Sequence, residues 1–125
     1  MPAAHYKPTG GPIQIRVVSD HMQTTICTID HFNDVDSEPT RIARLPLTGG
    51  DARTAEMDPP DDPDSLLITV YTIVLEHGNQ FHVRTVLEQD GNLLAEDEFP
   101  APGDNVPAVN GQTVPVALVF KLLEG

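Results

Sequence analysis

At 125 residues and 39% apolar content, the chain carries enough apolar material for one core and hardly for two, so a single domain is expected. Nineteen acidic residues against seven lysines and arginines leave a formal net charge of -12, which argues against direct work on nucleic acid or on an anionic membrane surface, since both need clustered cations. Such a field attracts a basic partner, keeps the chain dispersed, or suits a saline medium.

Residues 1–12, rich in Pro, Gly, Thr and Ala, read as a flexible arm or an edge segment with no core, ahead of a domain over 13–125. From 13 to 19, Ile13, Ile15 and Val17 alternate with Gln14, Arg16 and Val18, the period-two pattern of a half-buried strand. A second strand is expected over 23–30, where Thr and Ile dominate, and a third over 41–47, where Pro46 removes a donor and points to an edge or a strand end. The polar interval 48–64 reads as a long loop; ARTAEM has room for one helical turn before the prolines stop it.

The run LLITVYTIVL over 66–75 is almost wholly apolar and rich in β-branched residues, which favours a central strand covered on both faces. HGNQ and QDGN are turns, the second carrying the Asp-Gly pair that signals a tight hairpin, so 81–88 and 93–99 follow as strands. A last strand over 113–123 alternates Val114, Val116, Leu118, Phe120 and Leu122 with a second series, and Pro115 leaves one side of its first half unpaired. Seven strands with turns about every ten residues predict an all-β, antiparallel β-sandwich, the alternative being a partly open barrel. Strict alternation of direction then puts Asp58, Asp61, Asp62 and Asp64 beside Asp20, His21 and Asp90, with Asp34, Asp36, Glu38, His31, His77 and Asp104 at the opposite pole.

Cys27, the sole cysteine, rules out an intramolecular disulfide, and its setting between Ile26 and Ile29 reads as a packing thiol without a cation to activate it. MPAAHYKPTGGP has no apolar leader core and no run is long enough to span a bilayer, so a cytoplasmic protein is expected, although an exported chain with its leader removed would look the same.

In NDVDSE, the carboxylates of Asp34, Asp36 and Glu38 are the right type to chelate Ca²⁺, but the EF-hand glycine and terminal glutamate are missing, and a solvated acidic loop is the plainer reading. The five histidines show no zinc spacing. No nucleophile elbow, activated cysteine or phosphate-binding glycine loop is present. Glu96 and Glu98 share a strand face about 7 Å apart, near a glycosidase spacing, but read as surface charge. With no Trp, two Tyr and four Phe, sugar stacking is disfavoured.

The expectation is therefore a non-enzymatic binding or assembly module acting through protein–protein contacts, without a cofactor and as a homo-oligomer, because both faces of the strands at 66–75 and 113–123 are apolar. The alternatives are an acidic inhibitor or immunity-type protein on a basic partner, and a Ca²⁺-dependent binding module. An enzyme would have to join His77 or His82 to a carboxylate across a cleft.

Overall fold

The computed structural model describes residues 1–19, 24–33, 38–47, 51–74, 81–101 and 113–125. In chain order the strands are β1 (Ala3–Tyr6), β2 (Ile13–Ser19), β3 (Thr24–Phe32), β4 (Thr40–Leu47), β5 (Ala52–Met57), β6 (Asp64–Val74), β7 (Val83–Gln89), β8 (Asn92–Phe99) and β9 (Thr113–Glu124), with no helix among the described residues. They form a five-stranded sheet in the order β1-β9-β6-β3-β4 and a four-stranded sheet in the order β5-β2-β7-β8. All neighbours are antiparallel except β1, which runs parallel to β9. The two sheets make a β-sandwich and not a closed barrel.

The period of two decides what each strand buries. Along β6, Ser65, Leu67, Thr69, Tyr71 and Ile73 point into the core, while Leu66, Ile68, Val70, Thr72 and Val74 face outward. Opposite them in the second layer, Ile13, Ile15 and Val17 of β2 and Val83, Thr85 and Leu87 of β7 are buried. Buried hydroxyls need partners, and here they bond to each other across the layers. Tyr71 lies 2.7 Å from the Arg84 carbonyl oxygen, to which it donates, and 2.6 Å from Thr85 Oγ1; Thr69 Oγ1 is 2.7 Å from the same Thr85 oxygen.

The Asp-Gly hairpin forms as expected: Asp90 (φ 52°) and Gly91 (φ 80°) both take left-handed backbone between β7 and β8. Pro46 lies on β4, an edge strand. Pro115 sits in the half of β9 that has β6 on one flank and no described strand on the other, since β1 reaches only Lys121 to Glu124.

Four expectations need correction. First, a core does exist before Ile13: β1 is an edge strand whose Ala4 and Tyr6 are buried, and the Tyr6 hydroxyl donates to the Asp62 carbonyl oxygen at 2.6 Å. The link to β2 is clasped by Gln89, whose Oε1 accepts the Lys7 N–H (2.8 Å) while Nε2 donates to the carbonyls of Lys7 and Gly11, both 2.9 Å away. A Cβ on Gly10 would lie 2.7 Å from Gln89 Nε2, so a larger residue there must push the clasping amide out of place.

Second, ARTAEM is strand β5, paired with β2 from Ile13 to Val18. Only Met57 of it is buried, so backbone bonds to β2 hold it, and Arg53 and Glu56 keep this edge from pairing further. Third, β6 is central, but among the described residues only one of its faces is covered by another layer. Fourth, the extra strand β5 reverses the parity of everything after it. Phe32 stands opposite Leu66 and Thr40 opposite His31, so β3 ends and β4 begins at the same pole as the 58–63 connection, not at the opposite one. Asp20, His21, Asp34, Asp36, His77 and Asp104 lie outside the described residues, and Glu38 is exposed.

Candidate functional site

Three places carry chemistry, and each follows from the pairing of particular strands. At the shared pole, the end of β3 and the start of β6 lie side by side, which brings His31 Nε2 to 2.9 Å from Ser65 Oγ. A histidine at bonding distance from a serine is the geometry of base and nucleophile. Here, however, both are sealed in the inner face, at 6% and 4% exposure, so no substrate carbonyl reaches the hydroxyl from solvent. Burial lowers the His31 pKa from 6.5, against a smaller opposing pull from Asp62. The imidazole is thus neutral and serves as the hydrogen-bond partner of a buried hydroxyl.

The second place lies along edge strand β8. Pairing of β7 with β8 sets Arg84 opposite Glu98 and Val86 opposite Glu96, and His82 Nε2 lies 2.7 Å from Glu98 Oε2. Arg84, Glu96, Asp97, Glu98 and Ala101 line a cleft of about 260 Å³. Glu96 and Glu98 do share a face, and the histidine–carboxylate pair that the enzyme alternative calls for is present. Among the described residues the cleft offers three carboxylates and one guanidinium but no hydroxyl or thiol nucleophile. It falls just below the size range of small-molecule pockets. What such a lining can do is hold a cationic group. Arg84 was not singled out in the sequence because its place opposite Glu98 depends on cross-strand register.

The third place is the outer face of the five-stranded sheet. Leu66, Ile68 and Val70 run up its middle, with Val119 beside Ile68, Ile26 beside Thr72 and Leu123 beside Asp64. All six apolar side chains are half-buried by their neighbours alone, and Val74 at the far end is 39% exposed. The charges on this face are largely internally matched: Arg41 Nε donates to Asp30 Oδ1 at 2.6 Å, and Lys121 Nζ lies 3.5 Å from Asp64 Oδ2. With Arg44 opposite Thr28 on the same face, three cations stand against two carboxylates among the described residues, in a chain whose net charge is -12. The acidic excess of the described residues therefore lies off this face.

Cys27 faces the core as a buried free thiol, its pKa raised by burial to about 12, which suits packing and not reactivity. Of the three carboxylates proposed for calcium, Asp34 and Asp36 lie outside the described residues, and Glu38 is exposed beside that segment. Among the described residues no group of three or more His, Cys, Asp or Glu is placed to hold a metal ion, and no helix is long and apolar enough to cross a membrane. Compared with known proteins, the chain matches no family model, no curated protein and no solved structure.

Proposed function

We propose that this domain is a non-enzymatic binding module that works by burying the outer face of its five-stranded sheet against protein. The observation that supports this reading is the apolar row Leu66, Ile68 and Val70, flanked by Val119 and Ile26, on a face that no described element covers. A sheet face turned only to water alternates to polar residues on that side; here the middle of β6 stays apolar from Leu66 to Val70, and the charged residues stand around it. The test compares the proteins retained from a cell extract by the wild-type domain and by Ile68→Asp, with circular dichroism confirming that both are folded. Loss in the variant of a retained protein, added copies of the chain itself included, is expected. Identical retention by both, of extract proteins and of added chain alike, overturns the reading.

A second reading, a basic partner held by charge, is favoured by the acids crowded around the shared pole. Glu124, Asp62 and Asp61 all act on Tyr6, whose pKa is raised first by burial and then by these three. A complex formed in that way loosens steeply with salt.

A further inference from the structure

Resting on the docking face proposed above, we propose that its occupant is a second copy of this chain, the two five-stranded sheets stacked face to face. A symmetric contact of this kind sets the same patch against itself, so the patch must tolerate its own charge. The outer face of the five-stranded sheet meets that condition: the carboxylates described on it, Asp30 and Asp64, are each paired to a cation on the same face. The outer face of the four-stranded sheet does not, because there Arg16 and Arg84 stand against Glu56, Glu88, Glu96 and Glu98. Two copies meeting through that side bring a surplus of two carboxylates each; two meeting through the first bring a surplus of one cation each, and repel less.

Size points the same way. With about 3.3 Å per residue along strands of 4, 12, 11, 9 and 8 residues and about 4.8 Å between strands, the five-stranded face measures roughly 700 Å². This is about the area per partner that a stable interface of standard size needs. Apolar side chains fill the middle of that area and the matched charge pairs stand among and beside them, the core-and-rim arrangement of a working contact. Two sheets stacked in this way lie about 10 Å apart, a distance that branched side chains such as Ile68 and Val70 bridge from both sides.

Salt separates this partner from a basic one. Each copy carries -12, so long-range repulsion opposes the encounter and screening relieves it. The experiment is sedimentation of the purified chain over a range of concentrations, at about 0.05 M and about 0.5 M NaCl. A dimer that tightens with salt is expected. Ile68→Asp buries an unpaired charge twice per dimer and is expected to weaken association about 100-fold. Thr72→Lys, at an exposed position on the same face and so without consequence for folding, raises the face from a net charge of +1 to +2 with a cation that has no mate in the contact, and is expected to weaken it about tenfold. It carries the test if Ile68→Asp does not fold. A monomer at every concentration and both salts overturns the second copy as occupant, as does a dimer that neither substitution weakens. If the monomer still retains a protein that Ile68→Asp loses, the docking face stands and only the second copy is removed; identical retention removes both.

Discussion

Replacing Tyr71 by Phe removes one oxygen from the chain of hydroxyls that ties the two sheets together. The distances allow one consistent path for the protons: Thr69 donates to Thr85, Thr85 to Tyr71, and Tyr71 to the Arg84 carbonyl. Deleting the Tyr71 hydroxyl ends the last of these bonds and takes away the acceptor of the second. The Thr85 proton must then turn toward Thr69, whose own proton has only the Leu118 carbonyl at 3.5 Å as an alternative. Two buried bonds are lost or weakened, and an unsatisfied buried polar group costs about 1–3 kcal/mol, so a loss of about 2 kcal/mol is expected. Urea unfolding measures it as a fall in midpoint at unchanged slope, and thermal unfolding as a fall of roughly 6–10 °C in Tm. Thr85→Val breaks the same path from the other side. The double variant leaves fewer stranded groups than either single change implies and is expected to cost about 1 kcal/mol less than the sum. Additive losses, or a Tyr71→Phe protein as stable as wild type, would refute the shared path.

His31 gives a pH signature. Its folded pKa lies below 6.5, so the unfolded chain takes up the proton first; stability is full above 6.5 and is lost as pH falls from 6.5 to the folded value. Urea midpoints between about pH 7.5 and about pH 5 are expected to fall in wild type and to change less in His31→Gln, and equal slopes in the two would remove the assignment. Gln89→Ala deletes the three bonds that clasp residues 7 and 11; a loss of about 2–3 kcal/mol is expected, with faster amide exchange in β1 than elsewhere, whereas uniform exchange would show that Gln89 does not hold β1. Cys27, its pKa raised to about 12, should react with a disulfide reagent only as fast as the domain unfolds, so rapid labelling of the native protein contradicts its burial.

What could be read from the residues alone was whatever depends on near neighbours in the chain. Alternation in 13–19 and 113–123 marks strands because side-chain direction repeats every two residues, and Asp90-Gly91 marks a hairpin because both residues adopt left-handed backbone at little cost. AAHY gave no signal for β1: four residues are too few to show a period, and the partner that orders them, beginning at Lys121, is remote. ARTAEM contains good helix formers and little apolar surface, so β5 exists because β2 offers it a row of backbone groups. That one missed strand also spoiled the assignment of loops to poles, since direction is a running parity. For the candidate site, the apolar surplus of 66–75 was visible directly as a run with no polar alternation. The company of Arg84, Glu96 and Glu98 was not, because it is decided by how β7 and β8 are offset.

The place of β9 between β1 and β6 has a consequence for how the molecule is made. On the ribosome, Tyr6 and the buried row of β6 emerge long before the residues that pair with them, and Ala3 has no mate until Lys121 is out. Closing so wide a gap in sequence is slow, and for that interval β6 presents an unpaired edge as well as two apolar sides. A nascent chain halted before Thr113 is thus sticky in a way the folded domain is not, and co-translational aggregation should depend more on how soon residues 113–124 follow β6 out of the ribosome than on any earlier stretch.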